Sequence, residues 1–339
     1  MDGFAFAMTH ILVTGGAGYI GSHTCKALAA KGHVPIAFDN LSQGHRESVR
    51  WGPLEIGDIA DTSRLEAVFA QYRPHAVMHF AGSALVGESV IAPLKYYENN
   101  VSGTLNLLAA MLQHDVQGLV FSSTCAIYGE PTEDRIAESH PQNPINPYGA
   151  SKQIVEMILN DCANAYAMRI IALRYFNAAG ADVDGDIGED HEPETHLIPR
   201  LLRAANGEQI DLEIHGADYD TVDGTCVRDF IDVQDIADAH VLALGRVLKG
   251  EAGFSAYNLG TSRGHSVRQV IDCVARVTGR SLHVPVGPRR SGDPPTLVAD
   301  ASAIERDLGW TAQRSTLDDI IANAWRWERH RTAAAGVSQ

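Results

Sequence analysis

The feature that most constrains the fold lies at residues 14–21, where the sequence reads Thr-Gly-Gly-Ala-Gly-Tyr-Ile-Gly. This stretch follows a short apolar run at 11–13 and opens a helical pattern at 19–31. Its glycines form the pattern G-x-x-G-x-x-G at Gly15, Gly18 and Gly21. Because glycine has no Cβ, such a turn bends tightly and lets a pyrophosphate approach the N-terminus of the helix. Strand, turn and helix together predict a dinucleotide-binding βαβ unit.

Strand-like and helical patterns then alternate along the first half of the chain. We predict further strands at 34–38, 77–80, 119–122 and 170–174, and helices between them at 62–72, 93–114 and 147–166. Alternation at this spacing is typical of a parallel sheet with right-handed crossovers. The predicted fold class is therefore α/β, a Rossmann-type doubly wound parallel sheet with a smaller mixed α/β substrate domain.

The pattern changes after about residue 178, where a loop rich in Gly and Asp begins. Beyond it we predict helices at 197–205 and 316–330, a short strand at 212–215, and strand–helix units at 230–248 and 256–277. We expect a dinucleotide-binding domain at 1–178 and a substrate domain at 179–339. This boundary is soft, because strands of the second domain could rejoin the first sheet.

Composition and charge argue against several classes of partner. The 339 residues carry 27 Lys+Arg against 42 Asp+Glu, a net charge of −15. We expect no nucleic-acid partner, since phosphate contacts need clustered cations. No apolar run approaches the roughly 18 residues of a membrane span, and the first residues lack the features of a signal peptide. We therefore expect a cytoplasmic protein with no membrane partner, starting at Met1 or Met8.

We also expect no bound metal. The five cysteines are scattered and form no C-x-x-C pair, which argues against a disulfide framework or a cysteine-based zinc site. The Asp-rich stretch at 182–186 lacks the ligand positions of a calcium loop. A further group contains His191, Glu192, Glu194 and His196, but Pro193 interrupts any helical spacing among them. We interpret this loop as solvated.

Two acidic residues follow predicted strands of the first domain. Asp39 ends the second strand, where a carboxylate can accept hydrogen bonds from an adenosine ribose. A carboxylate at this position would repel a 2′-phosphate, so NAD is favoured over NADP. Asp58 closes a strand-like stretch at 54–56. It could meet the adenine in the same way or lie in a solvated turn.

The strongest candidate for catalysis is the Tyr-x-x-x-Lys motif of Tyr148 and Lys152. Asn146 is a good N-cap and Pro147 a good first helical residue, so the motif opens a helix with both side chains on one face. A phenol with a pKa of about 10 is a poor base at neutral pH. Lys152 and a positive nicotinamide ring together could lower this pKa to about 7. Thr124, just past a predicted strand, could hydrogen-bond a sugar hydroxyl beside the tyrosine.

Ordered motifs along almost the whole chain resemble the extended short-chain dehydrogenase/reductase family and, within it, the UDP-sugar 4-epimerases. The matching stretches are TGGAGYIGSH (14–23), FDN (38–40), HFAG (79–82), GES (87–89), YYENNVSGT (96–104), FSSTCAIYG (121–129), NPYGASK (146–152), LRYFNAAGA (173–181), DGTCVRDFIDV (223–233), YNLG (257–260) and RRSGD (289–293). The resemblance implies that Thr124, Tyr148 and Lys152 act as a catalytic triad.

The same resemblance implies a set of ligand contacts. NAD would be contacted by Gly15, Gly18, Tyr19, Ile20, Gly21, Asp39, Asn40, Asp58, Ile59, Phe80, Ala81, Gly82, Asn99, Ser122, Tyr148, Lys152 and Tyr175. A UDP-sugar would be contacted by Thr124, Tyr148, Asn177, His196, Leu197, His215, Arg228, Arg290 and Asp293. In this assignment Arg228 and Arg290 bind the diphosphate and Asp293 the ribose. We interpret the adjacent Arg289 as solvated or ion-paired.

The implied activity is interconversion of UDP-glucose and UDP-galactose through a 4-keto sugar. Leu297 replaces a bulky Tyr of some relatives, so UDP-N-acetylhexosamines are alternative substrates, and UDP-pentoses stay open as well. A dehydratase or decarboxylase is disfavoured, because Cys125 and Ala126 stand where such enzymes carry acids. A catalytically silent NAD-binding regulator is disfavoured by the intact triad.

Ala84 replaces a cofactor-contacting Lys of many relatives. We expect a homodimer, with the helix at 93–114 as a candidate interface.

Overall fold

A computed structural model of the chain describes residues 9–290 and 293–337, with side chains up to residue 333. The two candidate start residues, Met1 and Met8, and positions 291–292 of the RRSGD stretch lie outside the described residues. The strands are β1 His10–Thr14, β2 Val34–Asp39, β3 Leu54–Ile56, β4 Ala76–His79, β5 Gly118–Thr124, β6 Arg169–Tyr175, β7 Asn177–Ala179, β8 Ile214–His215, β9 Val227–Arg228, β10 Phe230–Asp232, β11 Gly253–Leu259, β12 His265–Ser266, β13 Val286–Gly287 and β14 Thr296–Leu297.

Eleven α-helices are assigned within the described ranges. They are α1 Tyr19–Ala30, α2 Thr62–Tyr72, α3 Val86–Ile91, α4 Pro93–Tyr96, α5 Gly103–Gln113, α6 Pro147–Tyr166, α7 Leu197–Ala205, α8 Val233–Lys249, α9 Val267–Thr278, α10 Ser302–Leu308 and α11 Leu317–Val337. A π-helix at Tyr97–Ser102 joins α4 to α5, and 3-10 turns lie at Arg46–Ser48 and Cys125–Tyr128.

The chain divides into two compact units. The first comprises Met1–Gly129, Pro141–Tyr175 and Ala237–Tyr257, and the second Glu130–His140, Phe176–Ile236 and Asn258–Gln339. This differs from the single predicted boundary between 178 and 179, although a later strand does rejoin the first sheet as that prediction allowed. The edge strand β11 joins the first sheet beside β6, and Gly253 N–H donates to Met168 O at 2.9 Å. Residues 237–257 therefore return to the first unit after the chain has entered the second. Which sheet a strand joins depends on contacts far away in sequence.

The first unit is built on a seven-stranded sheet in the order β11-β6-β5-β4-β1-β2-β3. The pairs from β6 through β3 are parallel, which confirms the predicted doubly wound parallel sheet. Apolar residues of the strands, among them Leu12, Ile36, Val77 and Leu119, are buried in one core with α2, α5 and α6. The strand order turns back between β1 and β4, and sheets of this kind bind ligands at such a switch point.

The strand register brings the predicted site residues to one edge of this sheet. Thr14 is paired with both Phe38 and His79, and Thr124 with Tyr175. Because these strands are parallel, the residues that follow β1, β2, β4 and β5 all emerge at the same edge.

The single helix predicted at 93–114 is wrong in detail, because the structure interrupts it with the π-helix. The π-helix has wider turns than an α-helix. Two successive side chains can therefore face the same loop: Asn99 Nδ2 donates to Ser83 Oγ at 3.3 Å, and Asn100 Oδ1 accepts Ser83 N–H at 2.8 Å. Hydrophobic periodicity alone does not reveal such an insertion.

The second unit packs α7, α9 and α11 around a separate core. Leu201, Val270 and Ile320 are buried together in it. Its short strands form small sheets, in which β10 pairs with β7, β9 lies between β12 and β14, and β13 pairs with β8. These pairings position the polar residues at the ends of β9, β14 and β8.

Candidate active site

The glycine turn after β1 is held by close backbone contacts. Gly15 has a φ of +73°, and its N–H donates to Phe38 O at 2.8 Å. A Cβ on Gly15 would lie 2.6 Å from Ala81 N, and one on Gly21 would lie 2.1 Å from Gly15 O. The predicted residues therefore form a turn that accepts no side chain at either position. Gly16, which the sequence pattern did not single out, is equally constrained, since its Cβ would lie 2.8 Å from Ala37.

Asp39 lies beside this turn and is anchored by the backbone. Its two oxygens accept Ala17 N–H at 2.9 Å and Leu41 N–H at 2.8 Å. Burial raises the pKa of this carboxyl, and the backbone hydrogen bonds oppose the shift. A carboxylate has about four acceptor positions, so Asp39 keeps capacity for the two hydroxyls of a ribose.

The structure brings Asp58 next to Asn40, the residue that follows Asp39. Asn40 Nδ2 donates to Asp58 Oδ2 at 2.7 Å, and Ala60 N–H donates to Asp58 Oδ1 at 2.8 Å. Ile59 is buried. Asp58 therefore lies in a turn, one of its two expected placements, and is at the same time a hydrogen-bonded neighbour of Asn40.

The loop after β4 contains Phe80, Ala81 and Gly82 and is tied down by Asn100. Asn100 is 2% exposed, and besides accepting from Ser83 it donates to Ser83 O at 3.0 Å and to Ser151 Oγ at 2.9 Å. A Cβ on Gly82 would lie 3.3 Å from both Asn100 Oδ1 and Lys152 Nζ. Sequence reasoning named Asn99 and missed Asn100, although both belong to the polar run of YYENN.

Thr124, Tyr148 and Lys152 meet at the C-terminal end of β5. Asn146 caps α6 by accepting Gly149 N–H at 2.9 Å, as the sequence predicts. Lys152 is 4% exposed, and its Nζ donates to Ser122 O at 2.8 Å and lies 4.8 Å from the centre of the Phe121 ring. The Thr124 hydroxyl is hydrogen-bonded to the Tyr148 phenol. This is an arrangement in which a proton can pass between a bound hydroxyl and Tyr148.

The chain's own groups act on the ionisation of Tyr148 without the nicotinamide ring that the expected pKa shift also requires. Burial raises its pKa to about 12, while the hydrogen bond from Thr124 lowers it. Burial likewise lowers the pKa of Lys152 to about 8, and Glu156 opposes that shift. The expected lowering of the Tyr148 pKa is therefore not produced by the chain's own groups, because desolvation of the phenol outweighs the stabilisation they give the phenolate.

His240 is a buried polar neighbour of the site that sequence reasoning missed. It lies on α8, is fully buried, and its Nε2 is 2.7 Å from Tyr175 Oη. The Phe80 ring packs against it with a centroid distance of 4.6 Å. His240 therefore connects two predicted cofactor contacts, Tyr175 and Phe80. It reaches them because the later segment 237–257 returns to the first unit.

In the second unit, Arg228, Asp293 and Leu297 come together. Arg228 Nη2 lies 3.2 Å from Asp293 Oδ1, and its Nη1 donates to Pro294 O at 2.9 Å. Leu297 is paired with Arg228 in the β9–β14 register. Sequence reasoning treated Arg228 and Asp293 as separate contacts, whereas the structure pairs them. Arg290 is exposed, and its carbonyl accepts Asp293 N–H at 3.3 Å.

The remaining predicted substrate contacts lie at element ends of the same unit. Asn177 opens β7 and donates its N–H to Asp229 O at 2.9 Å. Leu197 begins α7, with His196 as its N-cap. His215 ends β8, with Nδ1 3.1 Å from Glu213 Oε1. Arg289 is ion-paired with Asp218 at 2.7 Å, one of the two states expected for it.

The loop at 189–196 is only partly solvated: residues 192, 193, 195 and 196 are exposed as predicted, but the two carboxylates of Glu189 and Glu194 are not. The side chains of Glu189 and Glu194 are 7% and 2% exposed. Burial opposes positive charge on the two imidazoles, yet the carboxylates raise the pKa of His191 to about 9 and that of His196 to about 10. The interpretation considered helical spacing only, and it missed that Glu189 and Glu194 turn inward towards the two imidazoles.

A doubly wound sheet with a glycine turn, a carboxylate after its second strand and a Tyr-x-x-x-Lys helix defines a dinucleotide-binding α/β protein. The chain belongs to the NAD dependent epimerase/dehydratase family, whose model matches residues 11–260. No helix within residues 9–290 and 293–337 combines the length and the apolar character needed to cross a membrane.

Individual relatives cover nearly the whole chain. The UDP-glucose 4-epimerase of Rhizobium meliloti (strain 1021) is 51% identical over 322 residues, which are 95% of this chain and 98% of that protein. UDP-arabinose 4-epimerase 1 of Arabidopsis thaliana is 42% identical, covering 96% of this chain and 80% of that protein. The crystal structure of UDP-glucose 4-epimerase from Brucella ovis in complex with NAD has a TM-score of 0.91 at 52% identity, covering 94% and 97% of the two chains.

Proposed function

We propose that the protein interconverts UDP-glucose and UDP-galactose by oxidation at C4 of the sugar, turning of the 4-keto sugar, and re-reduction on its other face. The observation that carries the proposal is the meeting of Thr124, Tyr148 and Lys152 at the end of β5, beside the loop that contains Gly82. The 51% identity to a UDP-glucose 4-epimerase over 95% of the chain supports this choice of substrate.

Tyr148 moves the proton in both halves of the reaction. Its phenolate takes the proton of the 4-hydroxyl during oxidation and returns it during reduction, so the reaction has no net change in protons. Thr124, already hydrogen-bonded to the phenol, orients the sugar hydroxyl towards it. Lys152 supplies a positive charge close to the reacting groups. Bound NAD would supply a hydride acceptor that becomes the hydride donor, and a positive ring that favours the phenolate.

The chain's residues fit this cofactor. Backbone contacts leave no room for a Cβ at Gly15 or Gly21, which keeps the turn compact and lets a pyrophosphate approach the N-terminus of α1. Asp39 keeps acceptor capacity for the adenosine ribose, and Asn40 and Asp58 lie beside it. A carboxylate at this position favours NAD over NADP, because it would repel a 2′-phosphate.

The nucleotide half of the substrate is assigned to the second unit. We place the diphosphate on Arg228 and Arg290 and the ribose on Asp293, with Asn177, His196, Leu197 and His215 as further contacts. The Arg228–Asp293 pair orients the guanidinium before substrate arrives, and an oriented guanidinium binds phosphate with less loss of entropy. Firm binding of UDP leaves the hexose able to turn after oxidation.

A second candidate activity is 4-epimerisation of UDP-pentoses. It is supported by the 42% identity to a UDP-arabinose 4-epimerase and by the chemistry, since a pentose lacks only the C6 group. UDP-N-acetylhexosamines are also candidates, because Leu297 is smaller than a Tyr.

We also propose a homodimer. Several large apolar side chains are exposed on the consecutive helices α3–α5, namely Val90 at 63%, Ile91 at 86% and Leu94 at 72%. Exposed apolar surface of this kind is typical of an interface. Light scattering after gel filtration tests the dimer, and Leu94→Arg is expected to shift it towards monomer.

We further propose a cytoplasmic location. It is supported by the five cysteines, all within the described ranges and none in a disulfide.

The activity is tested by incubating the purified protein with UDP-galactose and no added NAD. We expect UDP-glucose to form, because a cofactor lost in mid-cycle would strand the ketone. A parallel panel with UDP-arabinose and UDP-GalNAc, read by product chromatography, ranks the candidate substrates. No turnover of any UDP-sugar, even with NAD supplied, would contradict the proposal. A strict need for external NAD would contradict the retained cofactor alone.

A further inference from the structure

We propose that Glu189, His191, Glu194 and His196 form a binding site for a divalent transition-metal ion, with zinc as the first candidate. Each of the four residues offers one ligand atom, and these atoms lie within 4.8 Å of one another. Two imidazoles and two carboxylates are a ligand set that zinc accepts in proteins. All four residues belong to the second unit and stand immediately before α7.

The distances within this group match a four-coordinate site. His196 Nδ1 lies 2.8 Å from Glu189 Oε1 and 2.9 Å from Glu194 Oε1, and His191 Nδ1 lies 3.3 Å from Glu189 Oε1 and 3.6 Å from Glu194 Oε2. Around a tetrahedral zinc with ligands at its usual distances, neighbouring ligand atoms are about 3.4 Å apart. Small movements of the side chains would therefore place all four at bonding distance from one ion.

Hydrogen bonding alone satisfies this arrangement poorly. A proton on His196 Nδ1 points towards one acceptor at a time, although two carboxylate oxygens lie within 2.9 Å of that nitrogen. Glu194 Oε2 is buried and accepts no hydrogen bond from the residues that the structure describes. A cation at the centre would be shared by all four groups and would release one proton from each Nδ1.

The charge of the surrounding chain also favours a cation. Between Arg174 and Arg200 the sequence contains no Lys or Arg, and the acids there are Asp182, Asp184, Asp186, Glu189, Asp190, Glu192 and Glu194. The imidazole of His196 is 49% exposed, whereas the two carboxylates are almost fully buried, so an ion could enter from the imidazole side. Ligation through Nδ1 leaves Nε2 of His196 able to donate to a substrate.

The experiment is to load the full-length chain, without a histidine tag, with Zn²⁺ or Co²⁺ and remove excess metal by gel filtration. We expect about one zinc per chain by elemental analysis, a cobalt form with the intense visible absorption of four-coordinate Co²⁺, and a higher melting temperature with Zn²⁺ than with a chelator. Glu194→Gln and His191→Ala are each expected to weaken metal binding by at least about tenfold.

Two matched substitutions serve as controls. His283→Ala removes an exposed histidine elsewhere, and Asp184→Asn removes an acid from the neighbouring acidic turn. Both are expected to keep the metal. The proposal is overturned if the wild-type chain retains no zinc after loading, or if both ligand variants bind it as tightly as wild type. If neither variant folds, the cobalt spectrum of the wild-type chain decides: weak absorption typical of six-coordinate cobalt contradicts the site.

Discussion

Tyr148 presents the central chemical problem at the scale of single residues. Burial raises the pKa of its phenol to about 12. With a pKa so far above 7, Tyr148 of the chain alone is protonated at neutral pH. The hydrogen bond from Thr124 opposes this shift, whereas Lys152 is not among the groups that lower the pKa of Tyr148. Burial lowers the pKa of Lys152 itself to about 8. The proposed chemistry therefore depends on the positive charge that arrives with the cofactor, so proton transfer is coupled to its presence in oxidised form.

Replacing the phenol should test this role directly. Tyr148→Phe removes the proton-transfer group and keeps the ring, so kcat for epimerisation is expected to fall by about 100- to 10,000-fold, with the bound NAD content unchanged. The measurement is steady-state turnover of UDP-galactose beside the absorbance ratio that reports bound dinucleotide. Tyr166→Phe makes the same change at an exposed position of α6 and is expected to be neutral. Near wild-type turnover by Tyr148→Phe would contradict a proton-transfer role.

At the scale of elements, the turn between β1 and α1 brings backbone atoms so close together that no side chain fits between them. A Cβ on Gly21 would overlap Gly15 O at 2.1 Å, and that oxygen belongs to the backbone and cannot rotate away. We expect Gly21→Ala to lose bound NAD and to lower the melting temperature. Gly245→Ala, in α8, adds its methyl where no atom lies within 4 Å. This control should retain NAD and gain roughly 0.5–1 kcal/mol, the helix preference of Ala over Gly.

The π-helix between α4 and α5 shows where sequence patterns stop being informative about elements. The sequence pattern predicts one helix over 93–114, and the structure is helical over 93–113 but changes helix type at 97–102. Insertion of a wider turn depends on partners distant in sequence, because Asn100 is 51 residues from Ser151, to which it donates a hydrogen bond. The Rossmann turn and the Tyr-x-x-x-Lys helix were predictable because their determinants are local. Asn100 and His240 were not, since burial of a single polar residue leaves no periodic signal.

Asn100 should therefore matter more than an ordinary helical asparagine. Asn100→Ala removes three hydrogen bonds to Ser83 and Ser151, two of them to the half-buried backbone of Ser83. We expect a loss of about 1–3 kcal/mol in the free energy of unfolding and weaker NAD retention, because the loop that contains Gly82 loses its support. Chemical denaturation and cofactor content report the two effects. Asn160→Ala, at an exposed position of α6, is the control, and equal behaviour of the two variants would contradict the role.

At the scale of the whole molecule, local alternation of strands and helices predicted the parallel sheet, but not the division of the chain. Residues 237–257 belong to the first unit because β11 forms the edge of its sheet, and 130–140 belong to the second. A similar limit applies to charge pairs. Arg228 and Asp293 could each be named as ligand contacts from motifs, whereas their pairing over 65 residues comes only from the tertiary structure.

Stability of the whole chain should carry a pH signature from Asp232. This residue ends β10, is fully buried, and its Oδ2 accepts no hydrogen bond within the described part of the chain. Burial raises its pKa to about 7 from an ordinary value of 3.8. Between these two values the folded chain holds a proton that the unfolded chain has released. Folding stability from this group therefore falls as pH rises from about 4 to 7, and is constant above and below that range.

Asp232→Asn should remove this dependence, because the amide resembles the protonated carboxyl and does not titrate. Its Oδ1 can still accept Gln234 N–H, which Asp232 accepts at 2.8 Å. Relative to wild type, we expect no gain near pH 4 and a gain that grows to at most about 4 kcal/mol by pH 8. Urea unfolding at pH 4, 6 and 8 measures the difference, with Asp272→Asn on the exposed side of α9 as control. Parallel stability curves for wild type and Asp232→Asn would contradict this prediction. They would mean that Asp232 is ionised in the folded chain, with its charge stabilised by the hydrogen bond from Gln234 N–H to Oδ1 and by Arg314.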